Sequence, residues 1–328
     1  MWIVFTILAV TITIALIYLA MQEADYHVKR SLEIEASTNA VFNAILDFKS
    51  WPEWSPWLMH EPEAGIQYSE QYQEEGGHYV WDGKFVGAGK LTHVSINAGR
   101  SIHQEIEFIR PFKSKNEVRW SFEPMGENCL VTWEMIGRMP FLFRFMTRQM
   151  EPMIGRDYEL GLALFNGYMN AQAPHPNLTF SGIEELDNFS YWAIPCHGNL
   201  RHRETTRRSS IETLEAAAGG TSGLPLTLLH QFTPTDMKAQ AEVAIPITEK
   251  TPSSNYTRRE FNGGRYFKLT VLGDHQFLPL AWYALSSHCR MHRIKTDPTR
   301  PSLEIYLDEP SLSGSPNDRE CALYLAIK

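Results

Sequence analysis

The chain has 328 residues, 43% hydrophobic and 12% aromatic, with a formal net charge of −8. That length exceeds one ordinary core and suits two domains of roughly 150 residues each plus a short extra segment. The acidic balance argues against nucleic acid as the main partner, because phosphate binding needs a basic footprint.

One basic cluster exists (Arg201, Arg203, Arg207, Arg208), but Glu204, Glu212 and Glu215 interleave with it, and it reads as a solvated helix face. Four cysteines, Cys129, Cys196, Cys289 and Cys321, include no Cys-x-x-Cys pair. A chain of this size needs no disulfide staples, so they read as free buried thiols.

Residues 1–20 (MWIVFTILAVTITIALIYLA) carry no charge. At about 1.5 Å per residue, such a helix spans roughly 30 Å, the hydrocarbon thickness of a bilayer. Trp2 and Tyr18 sit near its ends, where amphipathic rings favour the interface. A cleaved signal peptide needs a basic start, a shorter apolar run and small residues before the cut. The segment lacks Lys and Arg, is too long, and has Tyr18 near the cleavage position. We therefore expect residues 1–21 to be a retained anchor of a single-pass protein in a bacterial inner membrane. Lys29 and Arg30 follow Glu23 and Asp25, so charge leaves the side of the soluble domains undecided.

Residues 26–35 alternate, with Val28, Leu32 and Ile34 on one face, which predicts a strand. Ser37 is placed to cap a helix with Val41, Phe42, Ile45 and Leu46 as its apolar positions. Residues 51–57 (WPEWSPW) cannot continue that helix and predict a rigid aromatic turn. Strands are expected at 78–86, 91–96, 101–109, 117–123 and 129–136, with tight turns at Lys115-Asn116 and at Gly126-Glu127-Asn128. Tyr79 and Trp81 share a face; so do Val118, Trp120 and Phe122, and so do Val131, Trp133 and Met135. After Pro140, Ile154, Tyr158, Leu162, Phe165 and Met169 recur at helical spacing. His103, Glu105 and Glu107 share one strand parity, opposite Ile102, Ile106 and Phe108, and read as a solvent face rather than as catalytic groups.

Strand, helix, antiparallel meander and long closing helix form a helix-grip arrangement, in which a curved sheet wraps the last helix around a cavity. The opening through WPEWSPW and the run from Ile154 to Leu162 (IGRDYELGL) resemble the polyketide cyclase/dehydrase-like branch of the SRPBCC (START-like) superfamily. The resemblance covers residues 26–172 and implies a hydrophobic cavity for a lipid-like or polycyclic ligand. It implies no single reaction, because one fold hosts many functions. Candidate ligand contacts are Trp51, Trp54, Trp57, Tyr79, Trp81, Trp120, Trp133 and Phe165; a packed aromatic plug is the alternative role for the three turn tryptophans.

Residues 173–180, inside a polar, Pro-bearing stretch, predict a linker. In 181–328 the order strand–helix–strand–strand is expected twice. The first round comprises 188–200, 201–218 and two strands ending at AEVAIPI (241–247). The second comprises 260–272, 274–290, 302–307 and 321–328. Such a repeated α+β unit tends to place a groove between its halves. The segments FNGGRYFKLTVLGDHQFLPLAWYAL and PSLEIYLDEP resemble the GyrI-like, or bacterial regulator effector-binding, family. That family implies an aromatic groove, often with a carboxylate, suited to flat or cationic molecules. Trp282, Tyr283, Glu304, Tyr306 and Tyr324 are the candidates, with a solvated sheet face as the alternative. The family's last strand usually carries Glu and Pro where this chain has Ala322 and Ala326, although Glu242 and Pro246 stand at the matching places of the first round. This departure favours a neutral or aromatic ligand over a cation.

His288 and His292 at helical spacing read as a helix face rather than a metal site, and no catalytic residue, metal or cofactor is assigned. Three functional readings follow. The first is a membrane-anchored sensor, carrier or scavenger of hydrophobic or aromatic small molecules. The second is a cyclase or hydrolase acting in one cavity; some effector-binding relatives hydrolyse strained rings with a Glu and a Tyr, here Glu304 and Tyr306. The third is a partner-binding modulator protein.

Overall fold

The computed structural model describes residues 2–196, 204–219, 223–233, 238–249, 251, 255–307 and 316–328. The chain divides into two compact units, Met1–Asn170 and Ala171–Lys328. It is mixed α/β, with two antiparallel sheets and an apolar N-terminal helix.

Helix α1 (Trp2–Met21) is the one described helix long and apolar enough to cross a membrane, a property a signal sequence shares. None of its residues is buried by protein. Strand β1 (Asp25–Ile34) follows after three residues. Ser37 caps α2 (Thr38–Leu46) by accepting from the Ala40 N–H at 3.4 Å. Pro52 and the aromatic run then turn the chain through a 3-10 helix, Phe48–Glu53. Strands β2 (Gly65–Tyr68), β3 (His78–Asp82), β4 (Ala88–Asn97), β5 (Ser101–Arg110), β6 (Ser114–Met125) and β7 (Asn128–Arg138) form the meander. A second 3-10 turn (Phe141–Met146) leads into α3 (Thr147–Met169). The sheet order is β1-β7-β6-β5-β4-β3-β2, all neighbours antiparallel. This is the helix-grip arrangement that the alternation and the closing helix predict.

Two sequence expectations in this unit need correction. Lys115 and Asn116 lie inside β6, and the β5–β6 turn falls earlier, where Pro111 cannot donate to the ladder. β2 was unrecognised, because four residues carry too short a pattern to register.

The second unit continues with β8 (Pro176–Leu186), β9 (Phe189–Cys196), α4 (Glu204–Ala218), β10 (Leu226–Thr233), β11 (Lys238–Ile247), β12 (Arg259–Phe261) and β13 (Gly264–Gly273). Then come α5 (Leu278–Met291), β14 (Ser302–Tyr306) and β15 (Glu320–Ala326). The sheet order is β12-β9-β11-β10-β14-β15-β13-β8. The expected linker at 173–180 is largely strand: β8 pairs along β13, from Pro176 opposite Gly273 to Leu186 opposite Gly264. Its polar residues alternate along an edge strand, a pattern that a Pro-bearing stretch masks. Arg201 and Arg203 lie outside the described residues.

All four cysteines are free and buried. One buried polar chain ties the first sheet to α2. His93 Nε2–H donates to the Leu46 carbonyl at 3.1 Å, which leaves Nδ1 to accept from Gln104 Nε2 at 3.3 Å. Gln104 Oε1 in turn accepts from Trp120 Nε1 at 2.9 Å. A proton on Nδ1 would meet the Gln104 N–H and break the chain. Burial, only partly opposed by the Leu46 carbonyl, lowers the His93 pKa from 6.5 to about 4. The neutral ring is therefore the folded form. Its stabilisation is complete above pH 6.5 and is lost as pH falls towards 4, by roughly 3 kcal/mol. Urea unfolding followed by Trp fluorescence should show this loss between pH 7 and pH 4.5. His93→Gln should flatten the dependence, and an unchanged slope in that variant would count against the assignment.

Candidate functional site

In the first unit the inward strand positions include the aromatics Tyr79, Trp81, Trp120, Phe122 and Trp133. The 3-10 turn places Trp51 and Trp54 under the sheet, each almost fully buried. Their N–H groups are satisfied locally: Trp51 donates to the Ile45 carbonyl at 2.9 Å and Trp54 to Ser50 Oγ at 3.2 Å. Trp57 donates across to Asp157 of α3 at 3.1 Å. Trp120 stacks on Trp133 at 4.3 Å, and Trp133 stacks on Tyr158 of α3 at 3.9 Å. Phe165 meets Trp54 edge-on at 4.9 Å, and Tyr79 meets Trp81 at 5.7 Å. A Cβ at Gly161 would lie 2.9 Å from Trp133, so glycine there lets α3 settle onto the ring. All eight sequence candidates of this unit thus converge on one aromatic interior.

Two donors in that interior stand apart. Trp133 Nε1 and the Tyr158 hydroxyl are buried and have no hydrogen-bond partner among the described residues. An unmet buried donor costs about 1–3 kcal/mol, so an acceptor oxygen offered to this pair would be bound favourably. Burial, with Tyr26 and Asp157 adding to it, raises the Tyr158 phenol well above its ordinary pKa, so it remains a donor. His103, Glu105 and Glu107 lie on the outer side of the sheet, where Lys115 pairs with Glu105 at 2.7 Å and His103 with Glu117 at 3.8 Å.

In the second unit β10 and β14 meet at the middle of the sheet, with Thr227 opposite Glu304. Both side chains point to the face covered by α4 and α5. Trp282 of α5 donates its N–H to Glu304 Oε1 at 2.7 Å, and the Tyr306 hydroxyl donates to Oε2 at 2.7 Å. The Tyr306 oxygen is left to accept from Thr227 Oγ1 at 2.9 Å. Glu304 is buried, so the solvated-face alternative does not hold for it.

Arg207 of α4 lies 4.0 Å over the Tyr306 ring and donates to His275 Nδ1 at 3.0 Å. A cation over a ring face beside a carboxylate is a favourable placement. The guanidinium thus packs on the ring whose hydroxyl binds Glu304, and the expectation of a solvated helix face fails for Arg207. It holds for Arg208, which is exposed and bonded to Glu212 at 3.0 Å. Burial, partly offset by Arg207, raises the Tyr306 phenol well above its ordinary pKa. A cavity of about 150 Å³ opens here, lined by Cys196, Arg207, Thr227, Trp282, Glu304 and Tyr306 among others.

Two candidates fall elsewhere. Tyr324 is opposite Leu303 in register, on the other face of the sheet from Glu304, and donates to Glu184 at 3.1 Å. A one-residue parity difference between β14 and β15 separates it from Tyr306. Tyr283 is buried on α5 but does not line the cavity. Arg207, His275 and Thr227 were missed by the sequence reading. Thr227 had a signal, strand parity with Leu229; the direction of Arg207 had none. The rings of His288 and His292 stack at 3.9 Å. Burial and then His292 lower the His288 pKa to about 4. Among the described residues no group of three His, Cys, Asp or Glu is placed to hold a metal ion.

Residues 25–169 match the family described as polyketide cyclase/dehydrase and lipid transport. The match lies within the first unit and supports a polyketide cyclase/dehydrase (SRPBCC-like) domain there. Among solved structures, CalU16 from Micromonospora echinospora is 14% identical, with TM-score 0.32, covering 44% of this chain and 85% of that one. A protein from Thermobifida fusca is 16% identical, with TM-score 0.37 and coverages of 45% and 98%. The Aha1 dimer from Colwellia psychrerythraea is 10% identical, with TM-score 0.33 and coverages of 44% and 96%. No curated protein matches the chain.

The unmet hydroxyl yields a clear contrast. Tyr158→Phe keeps the stack on Trp133 and removes an unpaired group, so in urea it should be as stable as the parent or more stable, by up to about 1–3 kcal/mol. Tyr158→Ala should lose about 3–5 kcal/mol.

Proposed function

We propose that the protein is a membrane-anchored binder of hydrophobic or aromatic small molecules, acting as a sensor, carrier or scavenger. Residues 1–21 hold it in a bacterial inner membrane. The first unit takes a lipid-like or polycyclic ligand bearing an acceptor oxygen, to which Trp133 and Tyr158 donate. The second unit is an effector-binding domain of the GyrI-like type, built from two strand–helix–strand–strand halves. The observation that carries this reading is the buried Glu304, held by Trp282 and Tyr306 beside a cavity of about 150 Å³. A cavity of that size suits a single aromatic ring. Because the Arg207 guanidinium lines the same cavity, a neutral planar ligand fits better than a cation.

The full-length chain, purified in detergent from its source cell, should carry a small molecule in native mass spectrometry. Glu304→Gln should leave the affinity for a neutral ligand within about threefold, since apolar contact dominates. Loss of all bound ligand from both units, even under gentle ionisation, would oppose the reading.

A second reading, a hydrolase at the same place, is favoured by the 2.7 Å contact between Tyr306 and Glu304. There the Glu304 carboxylate would direct a water while the protonated Tyr306 donates to the leaving oxygen. Glu304→Gln would then retain binding and lose turnover by about 10²–10⁴-fold.

A further inference from the structure

The turn ahead of α3 has the wrong chemistry for a water-facing loop. Its sequence, Phe141–Met146 (FLFRFM), buries no residue. Phe141, Leu142 and Phe145 are exposed, Leu142 at 64%. The β5–β6 turn adds Phe112, 63% exposed, whose ring lies 5.1 Å from that of Phe143. Two separate loops therefore bring bulky apolar side chains together at one end of the first unit. A contiguous exposed apolar patch of this kind marks a contact surface.

Its position says what it contacts. Only Gln22, Glu23 and Ala24 separate α1 from β1. The Ala24 carbonyl accepts from the Met139 N–H at 2.8 Å, and Met139 is two residues from Phe141. Three residues reach at most about 10 Å. The apolar turn is thus pinned near the C-terminal end of α1, the level at which a spanning helix leaves the hydrocarbon.

The charges agree. Lys113 and Arg148 are exposed and make no ion pair among the described residues. The Arg144 guanidinium lies 5.2 Å over the Phe141 ring. Glu23 is the carboxylate of the connecting segment. In a chain with net charge −8, this end joins exposed aromatics to unpaired cations, the combination that binds an anionic interfacial layer.

We infer that Phe112, Phe141, Leu142 and Phe145, with Lys113 and Arg148, form a membrane-docking face that seats the first unit on an anionic lipid bilayer. This rests on the anchored reading of α1. Docking turns a tether into a fixed mount, with the N-terminal end of α3 held against the headgroups.

The test uses the full-length chain in nanodiscs of phosphatidylcholine with about one third phosphatidylserine, a composition chosen to supply the negative surface. An environment-sensitive fluorophore is placed on Leu142→Cys, and the four native cysteines are buried. Two references bear the same label. Ile12→Cys reports whether α1 is inserted. Glu127→Cys lies at the far end of β7, whose 11 residues put it about 30 Å from the docking end. Doxyl-labelled lipids supply the quencher.

The label at 142 should be blue-shifted and quenched by shallow doxyl groups, and the label at 127 should not. Lys113→Glu with Arg148→Glu should cut the quenching at 142 severalfold. Label 12 quenched with label 142 as exposed as label 127 would overturn docking while leaving the anchor intact. Label 12 unquenched would remove the anchor, and label 142 would still decide docking: quenching there supports it and its absence sinks it.

Discussion

Helix α3 is held on its sheet by a column of rings, Trp120 on Trp133 on Tyr158, with centroids 4.3 and 3.9 Å apart. Trp120 and Trp133 are register partners on adjacent strands, so the sheet itself fixes two members of the column. The third arrives from the helix, and Gly161 allows the close approach. Each such ring buries on the order of 150–250 Å². The turn tryptophans close the same interior from below, and Gln104 ties Trp120 to His93. The column leaves two donors, Trp133 N–H and Tyr158 O–H, without a hydrogen-bond partner among the described residues.

The second unit solves a related problem with charge. Glu304 is placed at the central seam of an eight-stranded sheet, where β10 meets β14. A buried carboxylate is tolerable only when paired and hydrogen-bonded. Trp282 and Tyr306 supply the hydrogen bonds from a helix and a strand, and Arg207 of the other helix brings a positive charge over the Tyr306 ring. These polar residues are therefore part of the packing at the seam, and they also line the cavity of about 150 Å³.

Much of the first unit was legible in the sequence because its signals are local. Alternation gave β1 and the inward parity of Trp120 and Trp133, and helical spacing gave the face of α3 bearing Tyr158 and Phe165. Ser37 reads directly as a cap. The turn before β6 was misplaced because Lys115 and Asn116 are turn residues by type, while Pro111 sets the actual break. In the second unit, Glu304 and Tyr306 were rightly placed together by parity. Tyr324 was wrongly joined to them, because parity within a strand says nothing about register with its neighbour.

The anchor-length helix, the aromatic interior and the shared parity of Glu304 and Tyr306 follow from the sequence alone, since each depends on residues close along the chain. Tertiary structure decided the rest. It brought Arg207 over Tyr306 and Trp282 onto Glu304, left Trp133 and Tyr158 without acceptors among the described residues, and set Phe112 beside Phe143 at the end of the unit where α1 leaves. Those contacts join residues tens of positions apart. Their geometry is fixed by strand register and helix docking, which no local pattern encodes.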